Sequence, residues 1–464
     1  MLERARVGVE ITRYNVGETP VTRMSDGSGG PAVVVAHGFA GSRQMMQGYG
    51  LVLARAGYDV HAFDFLGHGR NPVPMSGDVG ALSGTTQRLV DQTLTVVDAV
   101  DRAGAPVALL GHSMATDVLV RVADAREVGP VVLLSAFSDA IKPRHPTDLL
   151  IITGAWEPGL TDFAMRAARM VDPAAQSGET VREDDVRRQA LLAPWVEHVA
   201  ILHSRAGRQA ALDWLNGFYG RAGQAGTPLT GWALLALLAA VTALFGPLAR
   251  LLPKRTPPYA PWRAPAFLAV ALLPAIAVPL LAAPIETRVL PVLVADYLAL
   301  HLALYGVLQI ALLAWMRGRA GLSWPRPAMA ALLIAWGLGV FGVALDRYGA
   351  NFWPVGPRVP IIAALCLGAV PFMLADAWLA WGTPLWQRVV ARLAFLASLI
   401  AAVVLDTERL FFLVMIAPVT VLFWLTFGTM GRAAARRAGP VTAGLALGLI
   451  LAWALGVSFP LFRA

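Results

Sequence analysis

"VALLGHSMATDVL", residues 107–119, runs from an apolar stretch through Gly111 to a lone serine, Ser113, and then at once into a pattern with helical spacing. A short apolar run that meets such a pattern at a glycine predicts a buried strand turning tightly into a helix. A serine on that bend is held clear of the sheet. The unpaired N–H groups and the positive end of the following helix face the same spot. Taken alone, Ser113 also reads as an ordinary helix N-cap, a position that serine favours.

The surroundings repeat the pattern. "PAVVVAHG" (31–38), "YDVHAFDF" (58–65), "PVALLG" (106–111), "PVVLLSAF" (130–137) and "DLLIITG" (148–154) are short β-branched or aromatic runs. Amphipathic stretches such as 42–56 and 86–103 lie between several of them. Strands alternating with helices imply a mostly parallel sheet with helices on both faces.

Gly111-His112-Ser113-Met114-Ala115 follows the nucleophile-elbow pattern G-x-S-x-G, with alanine in place of the last glycine. Upstream stand a His-Gly turn, "AHGFAGS" (36–42), and "FDFLGHGRN" (63–71), each directly after a strand. In this order and spacing, these three landmarks resemble the α/β-hydrolase superfamily, particularly its esterase, monoacylglycerol-lipase and serine-aminopeptidase-like branch. The resemblance covers roughly residues 30–216.

The resemblance implies roles. Ser113 is the expected nucleophile, and the backbone N–H groups of Phe39 and Met114 the expected oxyanion hole. The family order is serine, acid, histidine. Glu157, after the strand "LLIITG", takes the acid position, with Asp162 as the alternate. Of the two histidines in "LLAPWVEHVAILHS" (191–204), His198 is favoured over His203, which the pattern places inside a helix. His37 and His68 are expected to shape their turns, His112 to pack or bind, and Asp64 to be structural. "REDDVRR" (182–188) reads as a solvated helical or loop face. Many relatives carry a helical cap between the strands at 130–137 and 148–154. Here roughly ten residues separate them, a loop length with no room for a cap. The longer insert 155–190, or a bilayer, is expected to cover the site instead.

The second half differs. Residues 1–228 hold 21 basic and 24 acidic side chains, residues 229–464 hold 17 and 6, so the chain's formal charge of +8 arises in the second half. Apolar runs near 229–252, 265–284, 289–315, 328–345, 359–381, 389–405, 410–427 and 441–461 are each about long enough to cross a bilayer. Seven or eight spans are expected, the run carrying Arg392 being the short one. The domain boundaries are therefore 1–216 for the hydrolase domain, 217–228 for a Gly-rich linker and 229–464 for a polytopic helical domain. Asp296, His301 and Asp376 fall within spans. They read as interhelical hydrogen-bonding groups or as a proton or solute path. Nothing matches a phosphate loop, a dinucleotide fingerprint or a metal-binding pair, so no cofactor and no metal are expected. The lone Cys366 excludes an intrachain disulfide.

With eight spans, one set of loops carries twelve basic residues, Arg255 among them, and the opposite set five. The positive-inside rule places the richer set in the cytosol and the hydrolase domain outside. The first twenty residues contain no apolar core of signal-peptide length. An upstream start encoding one more span would reconcile the two facts.

The expectation is a multi-pass protein of the cell (inner) membrane. Its hydrolase domain cleaves carboxylic esters, lipid-like ones included, through an acyl-enzyme. The partners are the bilayer and a small-molecule or lipid ester, with no nucleic acid, and the oligomeric state is left open. The alternatives are a peptidase or thioesterase of the same fold, and a transporter or assembly platform with an inert hydrolase-like domain.

Overall fold

The computed structural model describes residues 1–78, 82–102, 104–254, 256–257, 262–286 and 288–463. Arg255 lies outside them. The described chain forms two compact units. The first joins Met1–Leu235 to two short later segments, Asp346–Asn351 and Pro460–Arg463. The second comprises Ala236–Leu345 and Phe352–Phe459.

The first unit is built on a nine-stranded sheet of order β1-β2-β4-β3-β5-β6-β7-β9-β8. The strands are β1 (Glu10–Val16), β2 (Thr19–Ser25), β3 (Ala32–Ala36), β4 (Asp59–Phe63), β5 (Ala108–His112), β6 (Val131–Leu134), β7 (Asp148–Gly154), β8 (Thr180–Glu183) and β9 (Val186–Ala193). The six from β4 to β9 in that order run parallel, and β1, β2 and β8 add antiparallel edges. Every residue of β4, β5 and β6 is buried, which is why β5 and β6 read as apolar runs without alternation, while β4 carries Asp59 and His61 as buried polar groups.

A short turn of helix, α1 (Leu2–Arg6), precedes the sheet. Then come α2 (Gln47–Arg55), α3 (Gln87–Val100), α4 (Met114–Ala125), α5 (Pro158–Arg169) and α6 (Arg205–Tyr219). One core joins the α2 and α6 side chains Tyr49, Leu53, Leu212 and Leu215 to Val33, Val35, Leu110 and Val132. Side chains alternate across a strand, so Val34, Leu109 and Leu133 face the opposite side, where α3 and α4 pack together.

One sequence expectation changes here. "REDDVRR" is not a helical or loop face. It forms the β8–β9 hairpin, with Asp184 at φ 49° in its turn, and β9 is long because it pairs with all of β7. Residues 217–228 pack against the first unit. The Gly223 carbonyl accepts from Asn216, and Arg208 donates to the Pro228 carbonyl and to Thr230.

The two later segments bind the loops beyond β3 and β4. The Asn351 N–H donates to Ser42 Oγ at 3.0 Å, and Arg70 reaches Asn351 Oδ1 at 3.1 Å and Asp346 Oδ2 at 2.7 Å. Leu461 exchanges backbone bonds with Gly67 and Met75. Behind these loops the Asp64 carboxylate, fully buried, accepts from Arg43 Nη1 at 2.5 Å and from the backbone N–H groups of Arg43 and Arg70. This matches the structural reading of Asp64.

The second unit is helical. Among the described residues, eight helices are long and apolar enough to cross a membrane: α7 (Thr230–Ala249), α8 (Ala264–Ala282), α9 (Ala295–Arg317), α10 (Pro327–Tyr348), α11 (Arg358–Leu379), α12 (Leu385–Leu405), α13 (Thr407–Leu425) and α15 (Pro440–Ser458). The short amphipathic α14 (Phe427–Ala438) precedes the last. This is the make-up of a multi-pass membrane domain. α11 packs along both α9 and α15. A Cβ at Gly444 or Gly448 would stand 2.6 and 2.5 Å from α11 backbone atoms, so small residues permit the close crossing. Within this unit His301 contacts Tyr297 Oη and, across to α12, Ser398 Oγ, each at 3.1 Å. Asp296 accepts the backbone N–H groups of Val289 and Leu290. Hydrogen bonding thus accounts for both residues.

Arg43→Met would leave the Asp64 carboxylate buried without its counter-ion, at a cost of about 3–5 kcal/mol. We expect a clear fall in the thermal inactivation midpoint of the purified chain. An unchanged midpoint would show that the pair is dispensable.

Candidate active site

Ser113 sits between β5 and α4 at φ 54°, ψ −119°, a strained backbone for a residue with a side chain. Its N–H donates to the Leu134 carbonyl of β6 and its carbonyl accepts from Thr116, so the bend is fixed on both sides. A Cβ at Gly111 would meet Leu119 Cδ1 at 2.6 Å and Ala115 Cβ at 3.1 Å. Glycine is therefore required at 111. The side chain at 115 is fully buried and fits as alanine, which explains the departure from the second glycine.

His198 follows β9 on the loop before a short helical turn, Ala200–His203. Its Nε2 lies 2.8 Å from Ser113 Oγ, and its Nδ1 lies 2.6 Å from Glu157 Oε1. Glu157 is the residue before Pro158 at the start of α5, and its side chain is only 8% exposed. Its Oε2 accepts Ser135 Oγ–H at 2.6 Å and the Gly154 N–H at 3.0 Å. The carboxylate is thus oriented by two donors before it meets the imidazole. A carboxylate on Nδ1–H leaves Nε2 as the acceptor that faces the serine.

The alternates stand apart from this chain of bonds. Asp162 is exposed on α5. His203 is half-buried at the end of its helical turn, one step short of the expected helix, and a Cβ on Gly231 would touch it. The turn carrying Phe39 lies against the serine, since a Cβ on Gly38 would come 3.0 Å from Ser113 Cβ. Met114 is the first residue of α4, where N–H groups have no acceptor within the helix. His37 is buried. Its Nδ1–H donates to the Gly38 carbonyl at 2.7 Å and its Nε2 accepts from Phe65 N–H at 3.2 Å, which one neutral tautomer satisfies. It shapes the turn, as does His68 through the Leu66 carbonyl.

His112 has a part that the sequence did not reveal. Its Nε2–H donates to the His198 carbonyl at 2.7 Å, tying the histidine loop to the strand that bears the serine. Burial lowers its pKa to about 4, so it is neutral and keeps that donor. Large apolar side chains are exposed on the segments that carry Glu157 and His198 and after β6. Trp156 is 62% exposed, Trp195 80%, Phe137 57% and Val199 51%. Trp156 bonds to the Val196 backbone, Phe137 N–H meets Thr116 Oγ1, and the Phe137 ring lies 5.4 Å from that of Phe163 on α5. The bulky Trp195 adopts φ 62°, a second strained position beside His198. Among the described residues no group of three or more His, Cys, Asp or Glu side chains is placed to hold a metal ion.

Residues 30–205 match the family of serine aminopeptidases, S33. No curated protein matches the sequence. Among solved structures, a CIB-like hydrolase from Thermoplasma acidophilum is 14% identical, with 45% of this chain and 98% of that chain covered and a TM-score of 0.36. A dienelactone hydrolase from Anabaena variabilis is 17% identical, with 45% and 97% covered and a TM-score of 0.35. An epoxide hydrolase from an endophytic Streptomyces is 14% identical, with 46% and 97% covered and a TM-score of 0.34.

Acid should destabilise this domain. His61 and His112 both have folded pKa values of about 4, below their ordinary value, and burial also lowers His37 and His203. The unfolded chain then binds more protons between pH 6.5 and 4, so stability is full above that range and falls as pH drops through it. For His112 the loss reaches about 2 kcal/mol by pH 5. We expect the thermal inactivation midpoint to fall from pH 7 to 5, and less steeply in His112→Phe. A flat profile would contradict the buried, neutral imidazoles.

Proposed function

We propose that this α/β-hydrolase domain is a serine hydrolase for carboxylic esters with apolar acyl chains, anchored in a membrane by the eight apolar helices. The observation that carries this reading is the run of contacts from Ser113 Oγ through His198 to Glu157, at 2.8 and 2.6 Å. His198 Nε2 takes the hydroxyl proton as Ser113 Oγ bonds to the acyl carbon. Glu157 holds Nδ1–H and stabilises the imidazolium. The carbonyl oxygen gains negative charge beside the Met114 and Phe39 N–H groups. His198 then gives its proton to the departing alcohol, leaving an acyl-enzyme. A water attacks that ester, losing its proton to His198, and the acid leaves as Ser113 regains its hydrogen.

The exposed Phe137, Trp156, Trp195 and Val199 support an apolar substrate, because side chains of this size are unfavourable in water unless something covers them. The match to serine aminopeptidases favours a second reading, a peptidase that uses the same three residues.

Ser113→Ala should abolish fluorophosphonate labelling, and Glu157→Gln should lower kcat/KM about 10⁴-fold. Dodecanoyl esters should be cleaved in preference to acetyl esters, and Trp195→Ser should raise KM for the long chain only. Turnover of aminoacyl anilides without ester turnover would select the peptidase. Labelling that survives Ser113→Ala would end both readings.

We further propose that the hydrolase domain is extracytoplasmic. Four apolar helices separate Leu235 from Asp346 and four more separate Asn351 from Pro460, so each return to the first unit follows an even number of spans. The Arg-rich loops then share the other side, which the positive-inside rule puts in the cytosol. Protease added outside intact cells or spheroplasts should cleave the hydrolase domain. Protection until lysis would reverse the orientation.

A further inference from the structure

The second unit contains a cavity of about 270 Å³ where the C-terminal end of α11, the first turns of α12, α14 and the start of α15 meet. One water needs only about 10–15 Å³ of such space, so the cavity accommodates a solute. Its charge is lopsided. Arg388 and Arg392 of α12, and Arg432 and Arg436 of α14, all line it, against the single carboxylate of Asp376. Each pair is spaced four residues apart and so shares one helix face. Two stacked arginine pairs thus line one space with one anion between them.

The existing partners account for only part of this charge. Arg392 uses Asp376 at 3.1 and 3.3 Å and lies over the Trp424 ring at 5.0 Å. Arg432 Nη2 donates to Thr429 Oγ1 at 2.7 Å. Arg388 Nε is buried with no hydrogen-bond partner. A buried donor left unmade is costly, and a guanidinium does not escape by losing its proton. Burial and the neighbouring guanidinium groups lower even Arg432, to about 10. Arg436 is exposed to solvent, but the half-buried Arg388, Arg392 and Arg432 share the one carboxylate of Asp376, so an added anion would offset charge that the protein leaves uncompensated.

Guanidinium forks match phosphate oxygens two at a time. Gly428 lines one wall, where a Cβ would be in ordinary contact with Trp424 and Arg392 Nη2 and a larger side chain would extend into the space. The cavity lies at helix ends rather than mid-span. Trp386 beside it is exposed, as are Trp315 and Trp324 at the end of α9 and in the loop that follows. Exposed tryptophans at span ends mark headgroup depth.

We propose that this cavity binds a phosphate-bearing anion, presented by a lipid headgroup or by a soluble phosphate. Its depth favours the headgroup.

The test follows thermal unfolding of the full chain in neutral detergent by tryptophan fluorescence. The additives are dioctanoyl phosphatidylglycerol, dioctanoyl phosphatidylcholine and inorganic phosphate. The glycerol lipid should raise the midpoint at concentrations at least tenfold below the choline lipid. Arg388→Gln/Arg432→Gln should need at least tenfold more of it. Gly428→Leu extends into the space without removing charge and should lose the response likewise. It serves alone if the double variant does not fold, and a cooperative unfolding transition in the absence of additive reports the folding of each variant. Phosphate acting as well as the glycerol lipid assigns the site to soluble anions, and the glycerol lipid acting alone assigns it to headgroups. Equal effects of the two lipids with none from phosphate, or variants that respond as the parent chain does, would overturn the proposal.

Discussion

The backbone of Ser113, at φ 54°, is the constraint around which the first unit is arranged. An isolated turn would relax out of that conformation. Here it is fixed by Leu134 and Thr116, by the requirement for glycine at 38 and 111, and by burial of the whole of β5. The strain is stored where surrounding contacts over-determine the chain. Its effect is positional: the hydroxyl stands at the end of the central strands, where the loops after β3, β7 and β9 bring the Gly38 turn, Glu157 and His198. A parallel sheet places those loops at one edge, so residues 37–39, 113, 157 and 198 meet although the chain separates them widely.

Much of this was legible in the sequence. Strands buried on both faces read as unbroken runs of Val, Ile and Leu, and the serine bend has glycine where the backbone demands it. Glu157 and His198 could be named because the resemblance implies the order serine, acid, histidine, and Glu157 follows the strand at 148–154. The edges were harder. β1 is largely exposed and β2 mostly buried, but both mix polar with apolar residues, "EITRYNV" and "TPVTRMS", and their apolar content is too low to stand out. β8 is largely exposed, so "REDDVRR" carries the composition of a solvated face while its backbone pairs in the sheet. Edge strands often carry such charge, because it discourages pairing with other chains. The part played by His112 had no local signal. Its partner is a backbone carbonyl 86 residues away, and nothing in the sequence pattern reports that contact.

The helical half shows the same division between pattern and partner. Length and hydropathy place the spans, but they do not say how Arg392 is tolerated in one. It pairs with Asp376 of the preceding span, and an ion pair lowers the cost of both charges in an apolar setting. His301 is likewise accommodated by Tyr297 and Ser398. Such compensation joins side chains on different helices. It becomes visible only once the helices are packed.

Among the described residues no helix lies between β6 and β7, so the proposed esterase site has two problems to solve by other means: keeping water from competing with substrate contacts, and recognising the acyl group. The 135–147 loop is too short to cover Ser113, and the insert after Glu157 goes largely into α5 and the β8–β9 hairpin. What remains beside the site is a rim of large apolar side chains, with Trp195 held in a backbone conformation unfavourable for a bulky residue. Such a rim gains most when an apolar chain lies across it, since burial is worth about 25 cal/mol per Å² of apolar surface. On the proposed reading, a long acyl chain would itself cover these rings, and a short one would leave both the rings and the reacting ester wet. Selectivity for apolar acyl groups would follow from that missing cover, with no need for a dedicated polar contact.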